Sequence, residues 1–193
     1  MPGPMLHLSV AKKINPNANI DFYIGNLAPD ANREHKSITH LYNVPDREKA
    51  LSEFASKAHN GYLKGMLLHL FVDGKWWEKH LSGFAEKEGE GWYAKYHEEN
   101  CKMGSYAFHN TEWAYELWEQ MENWDYNGFV ETEFITKENV KWASIKWFFE
   151  NKLEASAVFT PEIIEKFADD TAEEFKMVFK FVNVILTSEN ICR

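Results

Sequence analysis

Cysteine is nearly absent from this chain of 193 residues, with only Cys101 and Cys192. Two thiols do not make a disulfide framework, so a reducing, cytosolic setting is expected rather than a stapled secreted domain. No stretch approaches the roughly 18 consecutive apolar residues that a membrane span needs. The opening Met1-Pro2-Gly3-Pro4 lacks the basic stretch and apolar core of a signal peptide. There is no GxGxxG turn and no phosphate-binding glycine loop. Adjacent His-Asp does not occur, which ranks low the helical phosphohydrolases that need that dipeptide. Neither cysteine sits in a recognisable nucleophile–histidine pattern. Alternating strands, internal repeats and low-complexity segments are missing as well.

Positive charge is also in short supply, with 21 basic against 30 acidic side chains and a net charge of −9. The excess is concentrated. Residues 86 to 133 hold twelve carboxylates against three lysines, which accounts for the whole imbalance. Such a surface repels nucleic-acid backbones and anionic lipid and tolerates cations. A solvated helical face is its plainest explanation.

What is present is ample apolar material. Apolar residues make up 45% and charged residues 26%, which excludes disordered and collagen-like chains. A chain of this size buries roughly 70% of the surface that its unfolded form exposes. Residues 1 to 193 are therefore expected to form one all-α domain. Pro4 starts a helix to about Ile14, and Asn15-Pro16-Asn17 breaks it. Residues 20 to 46 read as loop with short helical turns. Asp46 caps a helix over Arg47 to about His59, and a long amphipathic segment covers about Phe54 to Phe84. Further helices are expected over Trp92 to Met103, Thr111 to Trp124 and Lys137 to Leu153. The last runs from Pro161, a favourable first helical residue, to about Leu186. Its Phe167, Phe175, Phe179 and Phe181 suit a core face or a dimer contact.

The chemistry concentrates in GYLKGMLLHLFVDGKWWEKHL, residues 61 to 81. His59, Tyr62, Met66, His69, Asp73, Trp76 and His80 are spaced by threes and fours, so on a helix they form one stripe. Met66 and Trp76 turn that stripe inward. His69 and Asp73 then project from an apolar face one turn apart. A buried carboxylate is costly unless it is paired or holds a metal. The pair therefore makes either a buried hydrogen bond or part of a divalent-metal site, both ligand types being ordinary for zinc. His7 lies among apolar neighbours in the first helix and reads equally as a core histidine. Asp30, after Pro29, reads also as a turn residue. His40 reads also as a surface imidazole.

Together these residues resemble a known family. A His after MPGPML, then IGNLAPD, then KSITH, then GYLKGMLLHLFVD is similar to the zinc-dependent phospholipase C family, within a superfamily that also holds single-strand nucleases. The resemblance covers roughly residues 1 to 80. It implies an all-α fold with a metal cluster in a cleft, and makes His7, Asp30, His40, His69 and Asp73 metal ligands, with Asp73 bridging. Asp30 and Asp73 are then the catalytic carboxylates, and Asp30 doubles as ligand or general base. The family's second half supplies two more histidines and a glutamate, the latter pair as HxxxE. His80 stands as the first. No clean HxxxE follows, and His97, Glu98, Glu99, His109 and Glu112 are only candidates. One or two divalent ions, zinc foremost, are expected rather than three. The implied substrate is a phosphoester, small or a lipid headgroup, with Trp76, Trp77, Trp92 and Tyr96 offering an apolar wall or else core packing. The competing reading is a binding module whose metal site is structural or degenerate.

Overall fold

The computed structural model describes residues 2–140 and 145–179. Among these residues every regular element is a helix, so the expected all-α class holds. The framework is α1 (Pro4–Ile14), α2 (Ile20–Gly25), α3 (Lys36–Thr39), α4 (Arg47–Lys57), α5 (Gly61–Trp76) and α6 (Ser82–Glu88). It continues with α7 (Trp92–Asn110), α8 (Trp113–Glu122), α9 (Lys137–Val140), α10 (Lys146–Glu150) and α11 (Pro161–Val178). A 3-10 turn, Ala28–Ala31, carries Asp30. No helix among the described residues is long and apolar enough to cross a membrane.

Helix α5 runs through the centre. Nearly all of Gly61–Trp76 is buried, on every face, as expected of a helix apolar all round. Asn60 starts it, its side chain accepting from the Leu63 N–H at 2.9 Å. Helix α2 lies against it with almost no gap. A Cβ on Gly25 would come within 2.0 Å of the Tyr62 carbonyl, and one on Gly65 within 2.1 Å of the Phe22 carbonyl. Only glycine permits that backbone approach.

Around this pair, α1 packs on α11 and α7. Helix α11 buries Ile164, Phe167, Ala168, Thr171, Ala172 and Phe175, a spacing of threes and fours that keeps one face inward. Phe179 is buried beyond its end and Val178 is exposed, while Phe181 and the expected extension to Leu186 lie outside the described residues.

Three expected elements differ. The segment from Phe54 to Phe84 is not continuous: α4 ends at Lys57, α5 begins at Gly61, and a π-helical turn over Trp77–Leu81 separates α5 from α6. Helix α7 does not stop near Gly104 but continues to Asn110, with the Phe148 ring seated on Gly104. The helix expected over Lys137 to Leu153 is two short pieces, α9 and α10, among its described residues. The second ends because Ser105 captures the chain. Its hydroxyl donates to the Asn151 carbonyl and accepts from the Leu153 N–H, both at 2.7 Å, and so competes with helical bonding.

Candidate metal centre

Five side chains from four elements meet beside the centre of α5. His69 and Asp73 come from α5 one turn apart, His7 from α1, Asp30 from the 3-10 turn and His40 from the end of α3. His7, His40, His69 and Asp73 are fully buried. The Nε2 atoms of His40 and His69 stand 3.1 Å apart. His40 Nε2 is 3.3 Å from Asp30 Oδ1 and 3.4 Å from Asp73 Oδ2. His69 Nε2 is 3.6 Å from Asp73 Oδ2, and His7 Nε2 is 3.3 Å from Asp73 Oδ1. A tetrahedral zinc ion at about 2.0–2.1 Å from its ligands sets neighbouring ligand atoms about 3.3–3.4 Å apart. Most of these separations fall close to that edge length.

The partners behind the imidazoles decide which nitrogens face inward. The Asn26 carbonyl lies 2.8 Å from His69 Nδ1. A carbonyl only accepts, so Nδ1 donates and the neutral ring presents a bare Nε2 to the cluster. The tight α2–α5 contact at Gly25 and Gly65 brings that carbonyl into place. His40 Nδ1 is held by Thr39 Oγ1 at 2.9 Å. Two imidazole Nε2 atoms at 3.1 Å, in a dry site, require a proton or a cation between them. His7 Nε2 and Asp73 Oδ1, both buried, find no well-formed hydrogen bond among the described residues. These orphaned atoms suit coordination of a cation.

Electrostatics agree. Burial lowers the His7 pKa from 6.5 to about 4, aided by His69, whose ring stacks on it at 3.9 Å. His7 is thus neutral at pH 7, and its contact with Asp73 is not an ion pair. Burial opposes protonation of His69 as well, but the Asp73 charge outweighs it and raises the His69 pKa. Burial alone would raise the Asp73 carboxyl; the imidazoles, His69 first, hold it well below the usual range. Asp30 is likewise held low, with His40, His69 and Lys36 overcoming its desolvation. The cluster brings two carboxylates and three imidazoles together, a set of donors ready for a divalent ion.

Three contributors escaped the sequence reading. Lys36 pairs with Asp30 Oδ1. The Tyr42 hydroxyl donates to Asp73 Oδ2 at 3.1 Å; burial and the Asp73 charge push its pKa up, so it remains a donor. Arg47 reaches the Leu70 carbonyl at 2.5 Å and lies 5.9 Å from the Tyr42 ring. Tyr42 arrives because Leu41 takes a left-handed φ of 57°, a conformation that nothing in a leucine announces.

The second-half candidates lie elsewhere. His80 sits in the π-helical turn, seven residues beyond Asp73, and its ring lies 4.6 Å from the Trp76 indole and 5.5 Å from Phe167. His97 is exposed beside Cys101, 3.8 Å from its sulfur. Glu98 pairs with Lys102 at 2.7 Å. His109 donates to the Phe148 carbonyl at 2.9 Å. Glu99 accepts from Ser156 at 2.6 Å, and Glu112 is exposed at the start of α8. Of the four aromatics, Trp76 donates to the Tyr96 hydroxyl at 2.9 Å and both are buried, as core packing requires, while Trp92 lies 6.3 Å from Tyr96 and 6.4 Å from the half-exposed Trp77.

No family model matches the chain, and no curated protein or solved structure matches it. The residues themselves carry the functional reading.

Proposed function

We propose that the protein is a metal-dependent hydrolase of phosphoesters, with zinc at the His7, Asp30, His40, His69 and Asp73 cluster, of the phospholipase C kind that the sequence resembles. The observation that carries this reading is the pair of Nε2 atoms 3.1 Å apart, each ring tethered at Nδ1, with carboxylate oxygens at tetrahedral-edge distances around them. A single ion fits best, because the two groups of donor residues share His69, which has one nitrogen to give. When bound, a divalent cation supplies a water of pKa near 7 and neutralises charge on a phosphoryl oxygen.

The chain's own residues do the rest. Asn26 and Thr39 fix the imidazole tautomers and so the direction of each lone pair. Asp73, dry and anionic, holds its position between His7, His40 and His69. Asp30 is the ligand nearest solvent, a quarter of its side chain being exposed. Its outer oxygen accepts the proton of the attacking water as general base. The buried imidazoles exclude water from the inner side.

The second reading is a binding module with a structural metal. It draws on the distance of His80, His97, Glu98 and His109 from the cluster. Elemental analysis of the purified chain and a phosphomonoesterase and phosphodiesterase panel with zinc, manganese and nickel separate the two. Metal-dependent turnover that disappears in Asp73→Asn, with helicity by circular dichroism unchanged, is expected. Stoichiometric metal with no turnover on any substrate would favour the module, and a folded chain that takes up no metal would remove both.

A further inference from the structure

The cluster reaches solvent at Asp30. His40, His69 and Asp73 side chains are fully buried, Asp30 is 25% exposed and Lys36 36%, and Tyr42 is 46% exposed. Exposure thus rises outward along Asp73, Asp30, Lys36 and Tyr42, and the last two stand at the mouth. Each covers an oxygen that the cluster needs. Lys36 Nζ pairs with Asp30 Oδ1, the same oxygen that faces His40 Nε2. The Tyr42 hydroxyl donates to Asp73 Oδ2, the oxygen shared by His40 and His69. Both residues belong to one short stretch that also carries His40, and the left-handed Leu41 turns Tyr42 back onto the site. Strained backbone of this kind persists where the surrounding structure demands it, often at functional sites.

The Lys36 contact cannot survive unchanged beside a divalent charge. An ammonium sharing a carboxylate oxygen with such an ion is repelled by it. Lys36 sits on a flexible stem at the surface and swings toward solvent. The Tyr42 ring is kept in place by His40, 5.4 Å away, and by the Arg47 guanidinium. Only its hydroxyl needs to rotate to meet a new acceptor. One cation is then freed beside a neutral donor that can turn to a new acceptor.

We propose that Lys36 and Tyr42 are the positioning residues of this centre, that they cap its carboxylates in the metal-free protein, and that they exchange onto a phosphate oxyanion once the metal is bound. The inference rests on the metal-centre reading above and adds the substrate's charge and the side from which it enters. Lys36 supplies a charge-assisted hydrogen bond to one phosphate oxygen and Tyr42 a neutral one to another.

The two roles of Lys36 have opposite signs, which makes the test specific. Chelator-stripped chain is titrated with zinc by calorimetry, and the loaded protein is then titrated with inorganic phosphate. Lys36→Met should bind zinc about three- to tenfold more tightly, because a competing cation is gone, and phosphate about tenfold more weakly. Lys36→Arg should restore phosphate binding, and Tyr42→Phe should weaken it about threefold. Circular dichroism reports whether each variant folds. If wild type and Lys36→Met bind zinc but hold phosphate equally, the exchange is overturned while the metal centre stands. If wild-type chain binds no zinc, both fall.

Discussion

His69 shows how a single residue takes its role from what lies behind it. The Asn26 carbonyl accepts from its Nδ1, so Nε2 faces Asp73 and His40 and carries the lone pair whenever the ring is neutral. Asp73→Ala removes the one fully buried carboxylate of the cluster and should weaken zinc binding at least about 100-fold, since it deletes a ligand outright rather than one of its supports. Calorimetric zinc titration reads this directly. His7 sets a second expectation. Its folded pKa of about 4 lies below the ordinary 6.5, so between those values the unfolded chain binds a proton that the folded chain refuses. Its contribution is present above pH 6.5 and lost as pH falls toward 4, on the order of 3 kcal/mol in the metal-free protein. His69 acts the other way: its raised pKa gives stability below pH 6.5 that fades as pH rises through the folded value. Urea unfolding of chelated wild type and His7→Gln across pH 4 to 8 separates the two, and the variant should lose most of the acid-side decline.

At the scale of elements, the contact between α2 and α5 decides the site's geometry. Gly65→Ala puts a methyl group 2.1 Å from the Phe22 carbonyl, and backbone cannot yield as a flexible side chain would. The helices must part, at a cost of about 1–3 kcal/mol or more. Parting them also withdraws Asn26 from His69, so the same substitution should lower both thermal stability and zinc affinity. Asn60→Ala is the control. It removes the cap of α5 at about 1 kcal/mol without touching the α2 contact, and zinc affinity should stay within about threefold once folding is allowed for. Beyond Trp76 the π-helical turn seats His80 against Trp76 and Phe167, and seven residues of helix past Asp73, about 10 Å of rise, already carry it away from the cluster.

For the whole molecule, a cation that binds only the folded cluster ties distant parts of the chain together. His7 and Asp73 are separated by most of α1, α2 and α4, so loading should stabilise the fold globally. Zinc at about 100 times its Kd adds about 2.7 kcal/mol, or roughly 5–10 °C in Tm for a chain of this size. Thermal scans with zinc and with chelator measure it. The charge distribution acts over the same range. With the chain's whole −9 gathered in residues 86 to 133, binding to duplex DNA or to phosphatidylserine vesicles should be undetectable by sedimentation at 0.15 M salt, where the Debye length is about 8 Å.

Much of this was legible in residue order. Three-and-four spacing makes helices, and spacing alone put His69 and Asp73 on one inward face, since side-chain direction in a helix follows from its pitch. Pro4, Asp46 and Pro161 marked three helix starts because capping and proline geometry are local. Four things were decided only in three dimensions. The helix end at Glu150 depends on a partner far along the chain, as Ser105 shows. The seating of His80 against Phe167 depends on where α11 packs. The recruitment of Tyr42 depends on a left-handed leucine. The convergence of His7, Asp30 and His40 on α5 depends on two glycines that let backbones touch. Local pattern dictates the direction in which a side chain points; which distant group it meets is set by the packing of whole elements, and no neighbouring residue encodes that.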